Sequence, residues 1–317
     1  SLLSRFCSWT LGAIPTAMQQ TADNQKMRLP FTKMHGLGND FMVIDCVSQP
    51  HSLSTEQIAL YADRQLGIGF DQLLQIEPAT SPAADFRYRI FNRDGSEVEH
   101  CGNGARCFAK YVHDKGLTTR NPVKVETVNR LLSLQLSADG EVTVDMGEPD
   151  FAPESLPFEA RNASVEAVSG KRYRCEIAAA TTTQKIEFSA LSMGNPHAVI
   201  VVDDLDKADV AGLGSNLGQH SCFPQGVNVG FMQIVSRQSI RLRVFERGSG
   251  ETLACGTGAC AAVVSGCKLG LLDSPVEVCV RGGTLTIAWQ GDGAPVLMTG
   301  PATTVYEGTL DLQDHTH

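Results

Sequence analysis

The chain has 317 residues, 42% of them hydrophobic and 19% charged, with a formal charge of −9. Such a composition calls for a packed globular core, and the length suits about two domains. The negative charge argues against a nucleic-acid surface, which needs basic patches. No run of about 18 apolar residues is present to span a membrane.

Residues 1–26 are rich in Ser, Thr, Gln and Ala and lack a periodic pattern. Arg5 followed by Phe6 to Ile14 faintly resembles an export segment, but Ser8, Thr10 and Gly12 interrupt it. The expectation is a disordered N-terminal extension, with Met27 as a natural start.

The pattern then predicts short strands and few helices. Phe41 to Asp45 is a predicted strand. Ser54 to Leu66 is a predicted helix, with Ser54 and Gln57 as a capping box and Gly67 as its stop. Strands are expected at Asp71 to Ile76 and Phe86 to Asn92, and a helix at Ala105 to Lys115, closed by Gly116. Leu131 to Leu136 and Glu141 to Met146 alternate as strands do. Gly147, Pro149 and Pro153 mark a break. Beyond it, strands are expected at Ile186 to Leu191, Ala198 to Val202, Asn228 to Val235 and Ile240 to Glu246. Gly258 to Leu269 is a predicted helix, stopped by Gly270. Val276 to Val280 and Thr284 to Trp289 form a predicted hairpin around Arg281-Gly282-Gly283.

A repeat organises these elements. Residues 87–105 read RYRIFNRDGSEVEHCGNGA, and residues 241–259 read RLRVFERGSGETLACGTGA. They align without gaps at an offset of 154 residues. Arg89 matches Arg243, Arg93 matches Arg247, Glu97 matches Glu251, and Cys101 matches Cys255. Gly38-Asn39 and Gly194-Asn195 form a looser echo. Repeated units of this size point to two similar α+β domains about a pseudo-twofold axis, with a cleft between them.

Each half sets one cysteine just before a helix, followed by Gly-x-Gly. Unpaired N–H groups at a helix start make an anion site that suits a carboxylate. The same positive end stabilises a thiolate, bringing a cysteine from about 8.5 to ~3.5–7.5. Folded about the axis, Cys101 and Cys255 face each other. One, as thiolate, can take an α-proton, and the other, as thiol, can return one to the opposite face. Preorganised N–H groups stabilise the enediolate-like charge that develops.

Blander readings compete. A lone buried cysteine is usually structural, and only the match between halves lifts Cys101 and Cys255 above that. Cys107, Cys260 and Cys267 fall inside helices and suit core packing. Gly-x-Gly without a third glycine is a weak nucleotide signal, and no Cys-x-x-Cys pair supports a metal or thioredoxin-type site. The ten cysteines of so long a chain fit a reducing, cytoplasmic setting. Arg87, Arg89, Arg241 and Arg243 alternate with apolar residues and suggest a solvated face. Glu97 and Glu251 suggest loop-fixing partners.

At MHGLGNDF (34–41), GFDQLL (69–74), FNRDGSEVEHCGNGARC (91–107), MGNPH (193–197), NVGF (228–231) and FERGSGETLACGTGAC (245–260), the sequence resembles the diaminopimelate epimerases. The resemblance covers about residues 27–310. It implies interconversion of LL- and meso-2,6-diaminopimelate, on the lysine and peptidoglycan route, with no cofactor and no metal. It implies Cys101 and Cys255 as the base and acid pair. Asn39, Gln72, Gly102, Asn103, Gly256 and Thr257 match residues around the reacting centre. Asn92, Asn195, Asn228, Glu246 and Arg247 match residues that grip the distal head. There the Arg247 fork suits a carboxylate, and Glu246 suits an ammonium. His197 matches a histidine that assists proton movement. His100 departs from the family's usual neutral polar residue, and a histidine there is able to tune Cys101.

The expected fold class is therefore α+β. It comprises two pseudo-symmetric, mainly antiparallel β domains, each wrapped around a central helix, with the active site in the interdomain cleft. Residues 27–145, joined by 301–314 from the C-terminus, form the first domain, and residues 146–300 the second. A homodimer is expected from the resemblance. The partners expected are a small-molecule substrate, with no nucleic acid and no membrane. A proline- or hydroxyproline-type racemase of the same fold is the alternative, but Glu246, Arg247 and the asparagines favour a second charged head on the substrate. A cysteine hydrolase leaves one matched thiol unexplained, and a metal or amino-acid binding module leaves both unexplained.

Overall fold

The computed structural model describes residues 27–99, 101–162, 164–168, 172–178 and 182–312. The expectations for residues 1–26 and for His100 lie outside these.

The first half runs β1 (Arg28–Gly36), β2 (Asn39–Asp45), α1 (Thr55–Ala62), β3 (Gln72–Pro78), β4 (Phe86–Asn92), β5 (Glu97–Val98), α2 (Gly102–Asp114), β6 (Val123–Glu126), β7 (Leu131–Leu136) and β8 (Val142–Asp145). The second begins with β9 (Val165–Val168), β10 (Arg172–Ala178), β11 (Thr183–Ser192), β12 (Pro196–Val201), α3 (Val210–Gly218), β13 (Asn228–Ser236) and β14 (Ser239–Glu246). It continues with β15 (Gly250–Glu251), α4 (Gly256–Lys268), β16 (Val276–Val280), β17 (Gly283–Trp289), β18 (Val296–Gly300) and β19 (Thr303–Asp311).

The repeat is visible in the strand pairing. In the first half, β1 pairs antiparallel with β2, β2 parallel with β3, β3 antiparallel with β4, β4 parallel with β6, and β6–β7–β8 antiparallel. In the second, β11, β12, β13, β14, β16, β17 and β18 follow the same sequence of directions. The halves join where β8 pairs antiparallel with β18, with Val144 opposite Met298. Those two residues are themselves one repeat apart, so this pair marks the pseudo-twofold axis. β19 returns to pair with β1.

α2 and α4 are the central helices. One apolar cluster runs through both and joins strands of the two halves, from Phe41 and Phe108 to Val264 and Met298. Separate clusters lie under α1, around Ile58 and Phe70, and under α3, around Leu217 and Phe231.

Several boundaries differ from the expected ones for local reasons. α1 stops at Ala62 rather than Leu66, because Asp63 Oδ1 accepts from the Gln65 and Leu66 N–H groups and makes a turn instead. Its capping box is as expected, Ser54 Oγ accepting from Gln57 N at 3.2 Å. α2 and α4 begin at Gly102 and Gly256, so the glycines are part of the first turn. A Cβ on Gly102 would lie 2.6 Å from Met298 Cε, and one on Gly256 3.0 Å from Met298 Sδ. The glycines therefore let both helix starts press onto one methionine. Arg87, Arg89, Arg241 and Arg243 lie on the more exposed face of their strands, where Arg89 and Arg243 are also paired. Each of these two clamps its own half's glutamate, Arg89 on Glu97 at 2.8 Å and Arg243 on Glu251 at 2.6 Å.

Candidate active site

The first turns of α2 and α4 open onto a cavity of about 920 Å³. Cys101 caps α2 and Cys255 caps α4, both with extended backbone at the cap. Both line the cavity together with Asn39, Gln72, Asn92, Gly102, Asn103, Asn195, Glu246, Gly256 and Thr257. The structure thus brings most of the sequence-predicted site residues to one surface. Three stand apart from it. Asn228 is buried, its amide donating to Pro196 O at 3.0 Å and accepting from Arg247 N at 2.8 Å. Arg247 donates from Nη1 to Gln225 O at 3.0 Å. His197 is buried behind Asn195, with Nε2 2.9 Å from Asn195 Oδ1.

The two thiols are held differently. Cys255 Sγ accepts from Gly258 N–H at 3.3 Å and lies 3.6 Å from Thr257 Oγ1. Asn195 Nδ2 donates to that same hydroxyl oxygen at 3.2 Å, so His197, Asn195 and Thr257 form a file leading to Cys255. Cys101 Sγ donates to Asn39 Oδ1 at 3.5 Å. Asn39 is oriented by Asp71, which accepts from its Nδ2 at 3.0 Å. Asp71 is in turn gripped by Arg64, which also forks onto Asp40. The backbone of Cys101 is pinned by the Tyr88 hydroxyl, which bonds its N and its O at 3.3 Å each. In the second half Leu242 occupies the place of Tyr88.

The electrostatics correct one expectation. Helix starts were expected to lower both thiols, but burial pushes both up, and Cys255 well up. For Cys101, the N–H groups of Gly104 and Asn103 and the Arg106 charge oppose burial. For Cys255, the neighbouring Glu246 adds to it, while Thr257 and Gly258 oppose it. Desolvation of an enclosed thiolate costs more than these dipoles return. Burial also raises Glu246, whose carboxylate accepts from Thr252 Oγ1 at 2.6 Å. His197 is driven down to about 3 by burial and by the Arg247 charge, and is neutral at physiological pH. It therefore serves as a hydrogen-bond partner rather than a cation.

Sequence reasoning missed Asp71, Arg93 and Thr252 among the cavity's lining residues, and Tyr88 and Arg106 behind it. Asp71 stands beside Gln72, and Arg93 is the repeat partner of Arg247, so both carried a signal. Tyr88 and Arg106 did not, because their repeat positions hold unlike residues.

Comparison with known proteins agrees with this geometry. The family Diaminopimelate epimerase matches residues 31–152 and 189–305. A diaminopimelate epimerase of Chromobacterium violaceum is 58% identical over 290 residues, covering 90% of this chain and 100% of that one. One from Ralstonia pickettii is 56% identical over 287 residues, covering 90% and 97%. Among solved structures, a hydroxyproline epimerase from Agrobacterium vitis superposes with a TM-score of 0.63 at 17% identity, covering 92% of this chain and 94% of that one. A phenazine biosynthesis protein of the PhzF family from Bacillus anthracis gives 0.60 at 16%, covering 90% and 100%. Both structures share the fold. With a matched pattern that spans both halves, and relatives more than half identical along nearly their whole length, the chain belongs to the diaminopimelate epimerase family.

Proposed function

We propose that the chain epimerises LL-2,6-diaminopimelate to meso-2,6-diaminopimelate by proton transfer between Cys101 and Cys255. The observation that carries this reading is that two repeat-matched cysteines cap two helices opening onto one cavity. The substrate α-carboxylate rests on the N–H groups of the two first turns. One thiolate takes the α-proton, and the charge passes into the carboxylate as an enediolate. The other thiol delivers its proton to the opposite face of the α-carbon, ending as the thiolate. The configuration inverts, and the reverse reaction exchanges the roles. Because the proton leaves and returns through thiols, the reading invokes no cofactor and no metal.

Asn39, Gln72, Asn103 and Thr257 hold the reacting centre. Asn92, Asn195, Asn228, Glu246 and Arg247 hold the distal head, Arg247 turning from Gln225 to do so. His197 acts through Asn195. We read residues 27–145 with 301–314 as one domain and 146–300 as the other. No helix among the described residues is long and apolar enough to cross a membrane. The nine cysteines of the described residues are unpaired, which supports a reducing, cytoplasmic setting. The family resemblance supports a homodimer, which sedimentation reads directly.

Each of Cys101→Ser and Cys255→Ser is expected to lose epimerisation by about 10²–10⁴-fold, as when one positioned acid or base is removed. With pure LL- and pure meso-substrate in deuterated water, each variant keeps residual α-proton exchange with one isomer only, and the two variants keep opposite isomers. NMR follows the α-proton. Retained epimerisation in either variant, or exchange of the same isomer by both, would overturn the two-thiol reading.

A further inference from the structure

Among the described residues, Arg106 is the largest side chain wholly enclosed, at 0% exposure. Its guanidinium lies beneath the first turn of α2. Nη2 donates to Asn103 Oδ1 at 2.8 Å, Nη1 to Gly102 O at 3.4 Å, and Nε to Pro301 O at 3.0 Å. Nη1 also lies 3.9 Å from Met298 Sδ. Among the described residues, none of these partners is a carboxylate. The slot is cut to fit, because a Cβ on Gly36 would stand 2.9 Å from Nη2 and one on Gly300 3.2 Å from Nε.

A buried cation without a counter-ion is costly, and burial without payment in hydrogen bonds or function is rare. Here the charge sits where the α-carboxylate and the thiolate are placed. The repeat gives the control: the position matching Arg106 is Cys260, also buried. The first half alone carries this cation.

We propose that Arg106 is a positioning residue that fixes the amides around Cys101 and places a permanent positive charge beneath the anion cradle. The orienting arm is explicit. Arg106 donates to Asn103 Oδ1, which turns Asn103 Nδ2 toward Asn39 Oδ1 at 3.2 Å. That oxygen is the one facing Cys101 Sγ. The charge arm distinguishes the thiols. Glu246 disfavours both thiolates, but at Cys101 the Arg106 charge opposes it. The Cys101–Asn39 bond holds a proton on Cys101, but S–H is a weak donor and a formal charge in an enclosed site outweighs it. Cys101 is therefore the more easily ionised of the pair. The titratable groups facing it are Arg106 and Cys107 on α2, Tyr88 on β4, Glu246 on β14 and Cys255 at the start of α4.

The inference rests on the proposed proton transfer for its purpose, but its test does not. Iodoacetamide alkylation of the substrate-free enzyme is followed against pH, with Cys101 and Cys255 resolved by peptide mapping. In the unaltered protein, Cys101 reacts with the lower midpoint. In Arg106→Met, the Cys101 midpoint rises by about one unit, a tenfold loss of thiolate, and moves further than that of Cys255. kcat/KM falls by about 10–100-fold, the worth of a hydrogen bond to a charged group. Arg106→Lys keeps the charge and loses the fork, so the midpoint returns while kcat/KM stays low. That split separates charge from packing. A folded Arg106→Met with an unmoved Cys101 midpoint would overturn the inference, as would equal movement of both thiols. Should both variants fail to fold, a lower midpoint for Cys255 in the unaltered protein overturns it and a lower one for Cys101 supports it. Absence of α-proton exchange in the unaltered protein would instead defeat the proposed function and leave the alkylation result standing.

Discussion

At the scale of single residues, the site is made asymmetric by a few substitutions within a symmetric frame. Asn92 in one half is Glu246 in the other, Tyr88 is Leu242, and Arg106 is Cys260. The consequence at each is a different charge or bond beside each thiol. His197 provides a measurable case of burial acting on charge. It is neutral in the fold, with a value of about 3 against 6.5 in the unfolded chain. The unfolded state therefore binds more protons below 6.5, and stability falls as pH drops from there toward 3. Each pH unit costs about 1.4 kcal/mol. His197→Gln is expected to remove this term while keeping a donor for Asn195. Its urea midpoint should therefore fall less than that of the unaltered protein between neutral pH and pH ~4.5. Equal losses in the two proteins would show that His197 does not carry the effect.

At the scale of elements, the sequence was most legible where period and caps agreed. The strands Phe86–Asn92, Leu131–Leu136 and Val276–Val280 have the expected bounds. The Cys-Gly-x-Gly loops were legible as helix starts and as a pair, because the repeat printed them twice. Other elements gave no signal, for physical reasons. α3 reads VAGLGSNLG, whose glycines disfavour a helix, yet Asp209 caps it, accepting from Gly212 N at 2.9 Å. Gly214 is needed there, since a Cβ would stand 2.6 Å from Phe245. β19 is exposed along most of its length and shows no inward face, so only its pairing with β1 makes it a strand. Close approach between elements was equally silent. The β16–β17 turn meets the β1–β2 turn so tightly that a Cβ on Gly282 would fall 1.9 Å from Leu37 O. Gly282→Ala is therefore expected to destabilise the protein by about 1–3 kcal/mol or more, since backbone cannot step aside. An unchanged urea midpoint would mean the turns part without cost.

At the scale of the whole molecule, the halves are two in sequence and one in packing. The main apolar cluster crosses from α2 to α4, and the strand ladder is continuous through β8 and β18. Calorimetry is accordingly expected to show one cooperative transition, with calorimetric and van't Hoff enthalpies in agreement. Two separable transitions would show that the halves unfold independently. The Val144–Met298 pair at the axis has a further consequence for how such a protein can change over generations. Elsewhere, duplication lets each copy of a position drift alone, as 106 and 260 have. Met298 underlies both Gly102 and Gly256, so a mutation there alters both catalytic halves in one step. Its repeat partner Val144 has become a different residue, so the one methionine serves both helix starts.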